Sequence, residues 1–227
     1  MFVAGVDGCR AGWVRFAVEI PSLVTSVGVV DLTEVLRNRP ADLACIGIDI
    51  PIGLLDGSRA CDLAARKLLG QPRGTSVFAA PCRAALSATT HAAASQINRD
   101  KTGRGLSQQA FGIMPKIKQV DDVITSECQG WAFEVHPEVC FWALDNRRPM
   151  THNKKTMEGA AERIAVLRPV FPEIERHLAN RPTRVGADDM LDAAAAAWTA
   201  LRCHRSEAKC VCLPERDERG LATTISY

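Results

Sequence analysis

Phe2-Val3-Ala4-Gly5-Val6-Asp7-Gly8-Cys9-Arg10-Ala11-Gly12-Trp13 is the stretch that decides the fold. Residues 2–7 form a short apolar run that stops at an acid, the pattern of a buried strand. The Gly8–Gly12 segment supplies a turn. Residues 13–20 then alternate until Pro21, which predicts a second strand returning beside the first. Residues 24–30 predict a third strand, and Asp31 or Thr33 can cap a short helix through about Arg37. Leu43-Ala44-Cys45-Ile46-Gly47-Ile48-Asp49 is a further buried strand that ends in an aspartate, with Pro51 and Gly53 stopping it.

Further along, residues 59–128 read as a mostly helical insertion, with helices at 59–69, 83–97 and 106–127, the last interrupted near Pro115. Residues 70–81 and 98–105 read as loops. Strand character returns at 131–135 and ends at His136-Pro137. Residues 157–180 read as helical with breaks at Pro169 and Pro172, and a helix follows at 188–203. The tail predicts two short strands, near 209–213 and 222–226. An antiparallel opening followed by parallel additions is an α/β chain with a mixed sheet. Its helical crossovers are expected to be right-handed. The 227 residues are expected to form a single domain, 1–227.

The formal charge of +2 does not signal a strongly basic nucleic-acid binder, so any such contact needs a local patch and not a global field. No apolar run reaches the roughly 18 residues of a membrane span. The opening residues lack the basic leader of an export signal, so a cytoplasmic location is expected. Nine cysteines at scattered positions are then expected to be reduced. Cys203, His204, Cys210 and Cys212 are the tightest group, and their spacing fits no common zinc finger.

The chemistry-bearing residues are acids. Asp7 and Asp49 end apolar strands, and Glu134 lies in the strand before His136. Ligands of open α/β sheets gather outside the carboxyl ends of strands. Asp188, Asp189 and Asp192 stand at the entrance of an alanine-rich helix, at spacings that share one helical face and repel by roughly 0.2–0.5 kcal/mol. Asp188 suits an N-cap, whereas Asp192 lies beyond the cap and has less structural reason to be acidic. Clustered carboxylates raise one another's pKa unless a cation intervenes. An all-oxygen set suits Mg²⁺ or Mn²⁺, with Asp7, Asp49, Glu134, Asp189 and Asp192 as candidate ligands. A pair of such ions roughly 3.5–4 Å apart can promote phosphodiester hydrolysis.

His136 is a candidate proton carrier. Glu138 follows it, and Lys154, Lys155 and Arg83 are candidate phosphate contacts. Arg73, and a second basic region of Arg99, Lys101, Arg104, Lys116 and Lys118, are weaker candidates for the same role. The four tryptophans read as core, and so few aromatics do not suggest a base-stacking platform. Gly5, Gly8 and Gly12 do not make a dinucleotide fingerprint, no phosphate-binding P-loop is present, and Gly74-Thr75-Ser76-Val77-Phe78 lacks the closing glycine of a nucleophile elbow.

The opening hairpin resembles the first hairpin of the RNase H-like superfamily, and Asp188-Asp189 with Asp192-Ala193 resembles the last helix of its RuvC-type resolvases. More closely, the chain resembles the domain of unknown function 429 family, described as predicted nucleases with an RNase H fold. The resemblance rests on Gly5–Trp13, Ile48-Asp49-Ile50-Pro51-Ile52-Gly53-Leu54, Ser76–Arg83, Glu134–Glu138, Lys154-Lys155-Thr156 and Asp188–Ala193. It implies a five-stranded sheet of order 3-2-1-4-5 with the helical insertion between strands 4 and 5. It also implies a metal-dependent nuclease acting on DNA or RNA. RuvC-type enzymes often pair, so the resemblance is compatible with a dimer. Two rivals stand beside it: a non-catalytic nucleic-acid-binding or interaction module, and a phosphotransferase or ATPase of the same fold. The latter generally needs two such halves, and this chain has room for one.

Overall fold

The computed structural model describes residues 1–227. Strands β1 (Phe2–Cys9), β2 (Gly12–Glu19) and β3 (Thr25–Val30) form the expected antiparallel meander. Helix α1 (Leu32–Arg37) follows, with the Asp31 carboxylate accepting from the Thr33 and Glu34 amides. Strand β4 (Leu43–Ile48) lies parallel to β1, and β5 (Ala132–Glu134) lies parallel to β4. The sheet order is therefore β3-β2-β1-β4-β5, as the resemblance implies.

Between β4 and β5 come α2 (Ala60–Leu69), α3 (His91–Thr102) and α4 (Gln108–Asp121). Helix α3 departs from expectation at both ends. Residues 83–87 form only a 3₁₀ turn, and the helix starts after Thr90, whose hydroxyl caps the Ala93 amide. It also runs through Asn98, expected in a loop. Asn98 is buried, accepts from the Cys82 amide and donates to Arg104 O, so its polarity serves internal hydrogen bonds and not solvent. Helix α4 continues through Pro115 because Met114, Ile117 and Val120 stay buried on either side of it. It ends at Asp121, short of the expected 127.

After β5 come α5 (Pro137–Leu144), α6 (Met157–Leu167), α7 (Ile174–Ala179) and α8 (Ala187–His204). The gap between α6 and α7 holds Pro169 and Pro172, as expected. In the tail, short β6 (Glu215–Arg216) and β7 (Ala222–Thr223) pair with each other. Residues 209–213 do not form a strand of their own. Lys209 and Val211 bond to Tyr227 and Ile225, and Ser226 bridges to Val135 beside β5.

The two faces of β1 explain where the site lies. Ala4 and Val6 join a core with Ile46, Ile48 and residues of α1 and α4. Val3 and Cys9 face the other way, toward α8. Side chains alternate along a strand, so Gly5 and Asp7 share the α8 face, as do Gly47 and Asp49. Gly5 and Gly47 are direct partners across β1 and β4. A Cβ on Gly5 would collide with Ala193 O and Ala197 N, and one on Gly47 would lie 2.7 Å from Ala196 O. Glycines on the sheet and alanines on the helix thus let α8 sit against the sheet backbone. The same contact fixes the height of the acid one turn before Ala196, which is Asp192.

Candidate metal centre

Asp7, Asp49 and Asp192 meet where β1, the end of β4 and α8 converge, and each places a carboxylate oxygen within 4.8 Å of the others. Asp7 and Asp192 are buried, at 8% and 1% exposure, and Asp49 is partly buried. Lys154 donates to Asp192 Oδ2. Asp192 Oδ1 is enclosed and has no partner. Buried polar atoms are nearly always hydrogen-bonded, so this one is a vacancy in the protein's own bonding.

Burial is the largest influence on all three acids, and it favours the neutral form. It pushes Asp7 well above the ordinary carboxylate range, and the charges of Asp49 and Asp192 push it further. Asp49 rises to about 7, through burial and then Asp192. Asp192 also rises, held back by Lys154. One ammonium is thus set against three carboxylates. A buried, all-oxygen trio with a free acceptor fits a hard divalent cation.

The other candidates divide into those that line the cleft and those used elsewhere. The cleft above the trio has a volume of about 570 Å³ and is lined by Glu134, His136, Glu138, Lys154, Lys155 and Asp189, among others. Glu134 is not part of the trio. Arg59 Nη2 lies 2.6 Å from both its oxygens, and Oε2 accepts from the Ile52 amide at 2.7 Å. Glu134 therefore anchors the turn that follows Asp49, with Arg59 as its fixed counter-charge. Asp62 and Cys61 complete that second group of close ligand-type atoms.

Asp189 bonds back to the Gly186 amide at 3.1 Å. The capping expected of Asp188 is done by Asp189, because the helix starts one residue earlier, at Ala187. His136 lines the cleft with its Nδ1 enclosed and unpartnered, and burial with Lys154 nearby lowers it to about 4. It is a neutral imidazole at neutral pH.

Arg83, expected as a phosphate contact, does not line the cleft. It binds Asp121 at 3.0 Å, Asp217 at 2.5 Å and Glu218 at 2.9 Å, tying the C-terminal segment to α4. All nine cysteines are free, and the group near the C-terminus gathers no metal-ligand set. Trp13 and Trp131 are core residues, whereas Trp142 and Trp198 are only partly buried.

Sequence reasoning missed two structural parts and ranked a third, Lys116, too low. Arg59 was not singled out, and its internal ion pair leaves no periodic trace. Lys116 lines the cleft although its stretch read as a helix face. The repeated Gly-x-Asp of Gly5-Val6-Asp7 and Gly47-Ile48-Asp49 is visible in the sequence, and it marks the two strands on which α8 rests.

A family model described as protein of unknown function (DUF429) matches residues 5–219. The chain belongs to the DUF429 family. No curated protein and no solved structure matches it. The matched span includes every acid of the trio, so the DUF429 assignment covers the whole centre. No helix is long and apolar enough to cross a membrane.

Proposed function

We propose that this DUF429 protein is a metal-dependent phosphodiesterase acting on nucleic acid, a nuclease built on an RNase H-like arrangement. The observation that carries the reading is the Asp7–Asp49–Asp192 trio with its unpartnered Asp192 Oδ1. Mg²⁺ or Mn²⁺ held by these three residues would supply an acidified water and charge neutralisation at the phosphate. Lys154 holds Asp192 by bonding Oδ2, which leaves Oδ1 without a partner in the protein. Glu134, through Ile52, holds the turn that fixes Asp49. His136 is neutral, and its unpartnered Nδ1 is free to hydrogen-bond a ligand in the cleft. Lys154 and Lys155 give one lip of the cleft a positive charge toward an anionic backbone.

The test is cleavage of single-stranded, duplex and branched DNA and RNA by the purified protein with Mg²⁺ or Mn²⁺. Asp7→Asn is expected to abolish the activity. Unchanged cleavage by Asp7→Asn would remove Asp7 from the centre. The Lys154–Asp192 pair favours a second reading, a non-catalytic nucleic-acid-binding module, since it gives one acid an internal counter-ion. Binding of oligonucleotides without cleavage and without Mn²⁺ uptake would select that reading.

A further inference from the structure

Gln109, Ile113 and Lys116 all line the cleft, and their spacing of four and three places them on one face of α4. The adjoining positions Ala110, Met114, Ile117 and Val120 are buried in the protein. The helical insertion therefore contributes part of the lining of the cleft that also holds Lys154.

Lys116 sits in a built cradle. A Cβ on Gly8 would collide with its Cδ, so the bare backbone of Gly8 is what admits the stem. The ammonium lies 4.5 Å from the Trp13 ring centre and donates to Gly12 O at 2.6 Å. A lysine ammonium has three donors, and Gly12 O is its one hydrogen-bond partner in the protein. Unlike Lys154, it has no carboxylate partner.

We propose that Lys116 is a positioning residue that grips a backbone phosphate of a single-stranded nucleic acid lying across the acid trio, with Lys154 and Lys155 lining the same cleft. The proposal rests on the nucleic-acid reading of the cleft and names the residue that orients the strand. Its substrate is a polyanion with successive phosphates, since Lys116, Lys154 and Lys155 all line the cleft that holds the acids. The insertion then does more than cover the sheet: it supplies the second hold on the strand.

The experiment measures binding of fluorescently labelled single-stranded DNA and RNA of mixed sequence by anisotropy over a range of salt concentrations. Wild type, Lys116→Met and Lys116→Arg are compared, and cleavage by wild type is followed separately with Mn²⁺. Lys116→Met keeps the stem over Trp13, and thermal unfolding reports whether it stays folded. Loss of one phosphate contact is expected to lower the slope of log affinity against log salt by about 0.7 for a single strand. Lys116→Arg is expected to restore both affinity and slope, a rescue that a merely structural role in the hairpin would not link to salt. Should Lys116→Met unfold, Lys116→Gln is read in its place. Unchanged affinity and slope in a folded variant overturn the assignment, and cleavage by wild type in that case keeps the nuclease reading. Binding that weakens as expected while wild type cleaves nothing keeps the assignment and removes the nuclease reading. Absence of any binding by wild type overturns the assignment outright.

Discussion

Two buried acidic clusters lie beside each other, and they are balanced differently. At Glu134 the neighbouring guanidinium of Arg59 opposes the effect of burial, both carboxylate oxygens are bonded, and the Ile52 amide completes the set. At Asp7 the neighbouring charges of Asp49 and Asp192 add to burial, and one oxygen of Asp192 has no partner. The first cluster pairs its carboxylate within the protein, with Arg59 Nε and Nη1 left without hydrogen-bond partners. The second lacks positive charge, and that shortfall is the physical signature of a place for a cation. Burial of acids alone does not distinguish a site from a strut, whereas the sign of the neighbouring charges does.

The comparison breaks most visibly if Arg59 is removed. Arg59→Met leaves Glu134 buried without its counter-charge and is expected to destabilise the protein by about 3–5 kcal/mol. Urea unfolding measures this, and Glu134→Gln in the same chain should recover part of the loss. A loss below about 1 kcal/mol would mean that the pair is not the strut described.

Much of this contrast was legible in the sequence, and the illegible part has a definite cause. Strand-end acids are visible because an apolar run that stops at Asp is a local pattern, as at Asp7 and Asp49. Asp192 was visible because capping could not explain it. Glu134 looked equivalent to these, yet its partner lies 75 positions earlier in the chain, at Arg59. Arg83 similarly meets Asp217 from 134 positions away. Long-range pairing of a charge is set by tertiary packing and leaves no mark on its own segment. The break assigned to Pro115 failed for a related reason: buried neighbours on both sides outweighed the local cost of proline.

A second way to sharpen the comparison is to supply the missing charge. A divalent cation that binds only the folded protein at a hundred times its Kd adds about 2.7 kcal/mol. The effect must depend on pH, because ligands bind metal when deprotonated. The folded pKa of Asp49 is about 7, above its ordinary value of 3.8. Between those values the unfolded chain has released a proton that the folded chain keeps. Stability without metal therefore falls as pH rises from about 4 to about 7. Mn²⁺ is expected to raise the melting temperature more at pH 8 than at pH 5, relative to chelator. An equal rise at both values would place the metal elsewhere.

The third test removes one acid from each cluster. Asp49→Asn relieves repulsion in the trio and is expected to stabilise the metal-free protein by about 1 kcal/mol, the usual trade of stability against function at such sites. It should also abolish stabilisation by Mn²⁺. Glu134→Gln is expected to destabilise, since Arg59 then loses its charge partner. Opposite signs from two substitutions of the same kind, measured by thermal unfolding in chelator, are what the two balances require. The same sign from both would merge the clusters into one structural network.

The smallest effect belongs to Lys155. It lines the cleft but is exposed, and its one hydrogen bond with Asn153 is made by its backbone amide, so its side chain is not needed for the loop's shape. Lys155→Ala is expected to change stability by no more than about 0.5 kcal/mol. Lys154→Ala should differ, because it takes from Asp192 its ion-pair partner and leaves a second oxygen without a hydrogen bond. On oligonucleotide binding the order reverses in kind: Lys155→Ala weakens affinity chiefly at low salt, as an exposed cation screened by ions must. Measured by anisotropy at low and high salt, a loss that persists at high salt would show that Lys155 is held against the strand, and so belongs with the organised residues of the centre and not with its solvated lip.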